Sequence, residues 1–286
     1  LKWFLLFFAL MPMATFEMSS LAPDAFLISS ALVLIALSIL MISGWASKTH
    51  FAIFFGLSVI LAVSKVSYIA MPLGLLLVPL LGTIKRRRSY LVWLGGIYVS
   101  VGLLLFGWTT TVRPLYQPSV LGNDLNDQLN FMKEHPLKVV GILLSSLREQ
   151  WLQYWTMTIG LLGWLDTKLI PSWFKEAYTL ILVLAAVFDD GSNLPIRMSQ
   201  RMIWLGTFFL SLTLVMAMIF LTGMPVGATN FTGIQGRYLL PFAPLLLMSC
   251  YRHRPAVPVV VKRAVWCCHL SLVIAALYTL CRRYYL

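Results

Sequence analysis

The residues best placed for chemistry are isolated carboxylates, cations and aromatics at the ends of apolar runs. In Leu21-Ala22-Pro23-Asp24-Ala25-Phe26 an aspartate follows a proline and opens a long apolar run. Asp24 can act there as a base or bind a cation. It can equally cap a helix, because an aspartate at an N-terminus accepts backbone N–H groups and suits the helix dipole. Glu17, seven residues earlier, is a second carboxylate in a similar setting. In Val63-Ser64-Lys65-Val66-Ser67-Tyr68 a lysine interrupts two apolar runs. A cation so close to lipid marks a functional site unless it snorkels to the surface. In Gly233-Ile234-Gln235-Gly236-Arg237-Tyr238-Leu239-Leu240-Pro241 the glycines permit close backbone approach, and Arg237 stands where another apolar run begins. A guanidinium fork binds two phosphate oxygens, so Arg237 suits a phosphorylated ligand. An interfacial anchor is the plainer alternative. Gly160-Leu161-Leu162-Gly163-Trp164-Leu165-Asp166 is a glycine-hinged aromatic turn carrying one carboxylate, for which packing is the simpler role.

No phosphate-cradling glycine loop, nucleophile elbow, His-Glu-x-x-His or paired-cysteine metal site occurs. The histidines at 50, 135, 253 and 269 are isolated from one another. No cofactor is specified by the sequence. A divalent metal stays open, because surface carboxylates suit hard cations, but no coordination set is visible.

These residues have to be held by something, and composition says what. Of 286 residues, 59% are apolar and 11% are charged, and the mean hydropathy is +0.84. A soluble domain carries about 25% charge, so an ordinary soluble enzyme, a disordered tail and a disulfide scaffold are excluded. The net charge of +12 does not imply nucleic acid. The basic residues punctuate apolar runs, as they do when Lys and Arg set membrane orientation. The four cysteines, Cys250, Cys267, Cys268 and Cys281, read as buried small hydrophobes. The chain opens on Leu1 in an apolar run with no cleavage site, and is expected to continue from upstream spans.

A span needs about 20 apolar residues, with a helix as the form lipid permits. The runs near Lys2–Phe16, Ala25–Ser43, Phe51–Ser64, Tyr68–Thr83 and Tyr90–Gly107 form a first group. Those near Trp173–Phe188, Met202–Thr222, Tyr238–Cys250 and Ala264–Cys281 form a second. The expected fold is therefore an all-α integral membrane protein, a polytopic bundle of about nine spans. It divides into N-terminal spans (residues 1–107), an extracytoplasmic segment (108–172) and C-terminal spans (173–286). The third and fourth runs meet at Ser64-Lys65-Val66-Ser67 and can form one broken hairpin. Lys85-Arg86-Arg87-Arg88, and Arg252-His253-Arg254 with Lys262-Arg263, are short and strongly basic, which places both loops in the cytoplasm. All carboxylates except Asp189 and Asp190 then fall on the outer side. Pro136–Thr158 has helical spacing of Leu137, Val140, Leu144, Leu147, Trp151, Leu152 and Trp155, as expected of an amphipathic helix at the membrane surface.

Met18-Ser19-Ser20-Leu21-Ala22-Pro23-Asp24-Ala25, the Lys65 break, Gly163-Trp164-Leu165-Asp166 and Gln235-Gly236-Arg237-Tyr238-Leu239-Leu240-Pro241, in that order, resemble a bacterial polytopic family known as domain of unknown function 2142. That family in turn resembles the C-type (GT-C) membrane glycosyltransferases, which use polyprenyl-phosphate sugars. The resemblance covers most of residues 1–250. It implies a multi-pass protein of the bacterial inner membrane that transfers a sugar to a cell-envelope glycan or lipid on the extracytoplasmic face. It implies membrane lipid and a polyprenyl-linked sugar as partners. Asp24 and Glu17 would be the catalytic carboxylates. Arg237, Lys65, Tyr238, Gln235 and Asp166 would bind substrate or its phosphate. In such enzymes the principal acid lies in the first outer loop, so Asp24 would match a later, supporting acid. A flippase of lipid-linked saccharide and a non-catalytic scaffold of polysaccharide assembly are the rivals. Charges gathered at one face favour the enzyme over the flippase.

Overall fold

Helices dominate because every backbone polar group facing lipid must be satisfied within its own segment. The computed structural model describes the chain apart from residues 21, 83–86, 113–124, 163–166, 170–171, 188–193, 195, 230, 252–257 and 286. The described residues form α1 (Lys2–Ala9), α2 (Pro12–Met18), α3 (Pro23–Ile42), α4 (Lys48–Ser64), α5 (Ala70–Gly82) and α6 (Arg87–Val112). They continue with α7 (Leu125–Glu134), α8 (Pro136–Gly160), α9 (Phe174–Val187), α10 (Met198–Gly223), α11 (Ala243–Met248) and α12 (Val259–Tyr284). A hairpin of β1 (Leu161–Leu162) and β2 (Thr167–Lys168) joins α8 to α9, with Leu161 opposite Lys168. The protein is an all-α membrane protein. Among the described residues α3, α6, α10 and α12 are long and apolar enough to cross a membrane.

Two of the expected spans are not continuous helices. The run Lys2–Phe16 is divided into α1 and α2 at Leu10-Met11. Pro12 opens α2 and its ring disfavours helical backbone at Met11, which is extended at φ −61° and ψ 140°. The run Tyr238–Cys250 becomes a 3-10 turn at Gly236–Tyr238 followed by the six-residue α11. Pro241 and Pro244 lie too close together for a long helix to pass through both. The break at Lys65 is present: α4 ends at Ser64, Lys65 is extended, and a 3-10 turn at Val66–Tyr68 leads towards α5.

The centre of the bundle is α10, which packs on α5, α11 and α7, while α3 packs on α4 and α5. Gly74 of α5 lies against Thr207 of α10 so closely that a Cβ would collide with the threonine side chain. Small residues allow such approach where lipid supplies no hydrophobic drive between helices. Pro79 inside α5 removes the N–H that would reach the carbonyl of Leu75, and Ser38 of α3 donates to that carbonyl instead at 2.6 Å. Gln200 of α10 donates to the carbonyl of Val78 at 2.7 Å.

The segment Pro136–Thr158 is helical within α8, but its apolar stripe divides: Leu147, Trp151 and Trp155 pack against the core, and the other four residues face outward. Leu137, Val140, Leu144 and Leu152 are exposed, while Val139, Ile142, Tyr154 and Met157 are buried against the protein. The helix therefore has an apolar face on each side, one for the bundle and one for lipid. The cysteines are also corrected: all four are exposed. Three of them lie on α12, beside exposed Leu270, Ile274, Leu277 and Tyr278. Of the basic loops that set orientation, residues 85–86 and 252–254 lie outside the described residues.

Candidate functional site

Asp24 does not cap α3. Ala22 is the N-cap residue, Pro23 takes the first helical position, and Asp24 falls in the first turn. Its carboxylate is thereby free to point at other segments, though still at the favourable end of the helix dipole. Oδ1 accepts from Lys65 Nζ at 3.4 Å, and Oδ2 lies 3.4 Å from Arg237 Nε. The second contact is an ion pair without hydrogen-bond alignment, since Arg237 Nε has no hydrogen-bond partner. One carboxylate thus joins the start of α3, the α4–α5 break and the turn before α11.

Each cation is delivered by an interruption of helix. Lys65 is extended at φ −149° and ψ 100°, which turns its side chain out of the apolar path of α4. Its ammonium lies 3.9 Å from the centroid of the Tyr238 ring and 5.5 Å from that of Tyr68. Cations over aromatic faces gain electrostatic attraction. Arg237 sits in the 3-10 turn Gly236–Tyr238, and its guanidinium carbon is 5.6 Å from the Tyr238 ring centroid. Gly236 is buried against the Met157 backbone of α8, where a Cβ would collide with it. Thr158 donates to the Gly236 carbonyl at 3.4 Å. The glycine is therefore required by close approach, and that approach fixes where Arg237 starts.

Glu17 is buried at 4% exposure near the C-terminal end of α2. No described residue gives its carboxylate a hydrogen bond. Burial pushes its pKa up from the ordinary value, against the pull of Arg237, and with Asp24 adding to the rise and Lys65 opposing it. Burial likewise pulls the Lys65 ammonium down, and its contact with Asp24 works the other way. The side chains of Asp24, Lys65 and Arg237 keep 18%, 29% and 34% of their surface open, so the group is partly sheltered and partly reached by solvent.

The structure thus brings together Asp24, Glu17, Lys65, Arg237 and Tyr238. Gln235 is half-buried and supplies its backbone carbonyl to the Tyr238 N–H at 3.0 Å. Asp166 lies outside the described residues. Tyr68 is the member that sequence reasoning missed: its hydroxyl donates to the Tyr238 carbonyl at 3.1 Å and ties the Lys65 break to the Arg237 turn. Its position three residues after Lys65, in the same break, was the available signal. Among the described residues no group of three or more His, Cys, Asp or Glu stands together to hold a metal.

A family model described as a predicted membrane protein, DUF2142, matches residues 1–246. The chain belongs to that family. No curated protein and no solved structure matches it. The DUF2142 match contains all members of the Asp24 cluster, and α12 lies beyond it.

Proposed function

We propose that this DUF2142 protein is a multi-pass glycosyltransferase of the bacterial inner membrane. It moves a sugar from a polyprenyl-phosphate donor to a cell-envelope glycan or lipid on the extracytoplasmic face. The observation that supports this reading is the meeting of Lys65 and Arg237 on one carboxylate at a partly open site. In such a transfer the acceptor hydroxyl attacks the anomeric carbon and the bond from that carbon to the phosphate oxygen breaks. Negative charge grows on the departing phosphate, and two fixed cations stabilise it at this partly sheltered site. Asp24 holds both cations before the donor arrives. The acceptor proton needs a carboxylate within hydrogen-bond reach. Asp24 is the more exposed candidate, and Glu17 is the one that forms no ion pair with a cation among the described residues. Tyr238, Gln235 and Asp166 would complete the binding of the sugar phosphate.

The test is transfer from a panel of radiolabelled polyprenyl-phosphate sugars to envelope extract, with full-length protein in liposomes. Transfer that disappears with Asp24→Asn and Arg237→Ala, in variants that remain folded, is the expected result. Absence of transfer with every donor, from folded wild-type protein, overturns the reading. The scaffold reading is favoured by one feature, that Asp24 already neutralises cations from within the chain. It expects both substitutions to leave envelope glycan composition unchanged.

A further inference from the structure

A second polar feature, made of residues outside the Asp24 cluster, lies at the C-terminal end of α8. A cavity of about 560 Å³ opens between the end of α8, the β1–β2 hairpin and the start of α9. Small-molecule sites run from about 300 to 1,000 Å³, so its size is adequate for a headgroup and the start of a chain. Leu161, Leu169 and Phe174 give it apolar walls, and Lys168 and Lys175 line it as cations. None of its lining residues is a carboxylate among the described residues.

The local structure explains this lining. Strand alternation sends Thr167 inward and leaves Lys168 exposed. Gly160 lies against the Leu169 side chain with no room for a Cβ, which lets the hairpin fold back closely onto α8. Lys175 is in the first turn of α9, where its only described carboxylate partner is Glu176 at 3.6 Å. That pair is 44% and 61% exposed, and such surface pairs are weak. An incoming phosphate can replace Glu176 without leaving a buried charge.

The neighbouring surface is apolar. Leu152 on α8, Trp173 before α9 and Leu180 on α9 are 78%, 58% and 58% exposed. An exposed tryptophan beside lysines is the arrangement found at headgroup depth. Apolar walls, an apolar rim and two amines, with no carboxylate among the described lining residues, are complementary to a phosphate that carries a hydrocarbon chain.

We infer that the cavity between α8, the β1–β2 hairpin and α9 binds the phosphate of an anionic membrane lipid, with Lys168 and Lys175 as its counter-charges. The site is separate from the Asp24 cluster but shares one wall with it. Met157 lines the cavity, and its backbone is the surface against which Gly236 packs.

The test is native mass spectrometry of the full chain in mild detergent. It is titrated with dioleoyl phosphatidylglycerol, with dioleoyl phosphatidylcholine and with polyprenyl phosphate. Wild-type protein is expected to retain an anionic lipid in preference to phosphatidylcholine. The double substitution Lys168→Gln with Lys175→Gln is expected to weaken that retention about tenfold or more, a factor of ten being about 1.4 kcal/mol. Glu176→Gln removes the competing carboxylate and is expected to strengthen it. Both lysines are at the surface, so the double variant should fold, and its thermal midpoint checks this. Asp24→Asn is expected to leave retention of phosphatidylglycerol unchanged, which separates this inference from the proposed transfer reaction. Whichever anionic lipid loses retention in the double variant, the bulk phospholipid or the carrier, identifies the source and supports the site. Equal retention of both anionic lipids by the double variant, equal retention of phosphatidylcholine, loss of phosphatidylglycerol on Asp24→Asn alone, or no retained lipid at all overturns the inference.

Discussion

At the scale of single residues, the central fact is one carboxylate shared by two cations. Removing either cation leaves Asp24 with the other, whereas removing Asp24 sets Lys65 and Arg237 against each other. A double-mutant cycle over Asp24→Asn and Arg237→Gln should therefore give a favourable coupling of about 1 kcal/mol. The value is modest because the Arg237 side chain is 34% exposed and solvent screens the pair. Reversible unfolding of the purified protein in detergent, followed for the four members of the cycle, measures it. Glu17 makes a separate prediction. Its pKa is raised by burial, so the folded protein binds that proton more tightly than the unfolded chain does. Stability contributed by this group must then fall as pH rises from the ordinary carboxylate value of 4.5 through the raised value. Glu17→Gln removes that slope. The variant should be more thermostable than wild type at pH 7 and should lose the advantage towards pH 4 (thermal midpoints at the two values decide it). The types of these residues were legible in the sequence, because a charge beside an apolar run has to be explained. Their partnership was not. Asp24 and Lys65 are 41 positions apart, and no local pattern states which cation a carboxylate will meet. Tyr68 was missed for the same reason, since its partner is a carbonyl 170 positions away.

At the scale of elements, the site is made by interruptions. Lys65 lies where α4 stops, Arg237 in a 3-10 turn, and Asp24 in a first turn set by Pro23. Hydropathy located the runs but overstated their continuity, because it does not register what a proline does to the residue before it. That is why Lys2–Phe16 and Tyr238–Cys250 read as spans and are instead short helices and turns. The glycine of the Arg237 turn was legible as a place of close approach, but not what it approaches. Its neighbour is the Met157 backbone, which cannot move out of the way as a side-chain tip can. Gly236→Ala should consequently displace the turn and cost about 1–3 kcal/mol of stability, as overpacking does. It should also abolish the Asp24–Arg237 coupling measured in the cycle above. A Gly236→Ala protein that kept both stability and coupling would show that the close packing of the turn on α8 does not position Arg237.

At the scale of the whole molecule, the Asp24 cluster and the aromatic contacts of α12 lie in different parts of the chain. The family match ends at residue 246, and the Asp24 cluster lies wholly inside it. Beyond it α12 returns to pack on α9. Trp266 meets Trp3 and Phe7 edge-on at 5.1 and 4.7 Å between centroids, and His269 stacks on Phe7 at 4.4 Å. The hydroxyl of Tyr178 on α9 is 3.1 Å from His269 Nδ1 and donates to the Phe7 carbonyl at 3.1 Å. These contacts clamp α1 and α9 with α12, and none of them touches Asp24, Lys65 or Arg237. Aromatic truncation removes large contact areas and costs about 3–5 kcal/mol when the ring is fully buried. Trp266 is only half-buried, so Trp266→Ala should lower the thermal midpoint by a smaller amount, a few degrees on the scale of about 2–4 °C per kcal/mol for chains approaching this length. The coupling between Asp24 and Arg237 should be unchanged in the Trp266→Ala background, because distant sites with no shared partners add independently. Repeating the double-mutant cycle in that background is the measurement. A coupling that collapses when Trp266 is cut would mean that α12 holds the cluster in register through α1 and α2, and that the clamp and the site form one cooperative unit.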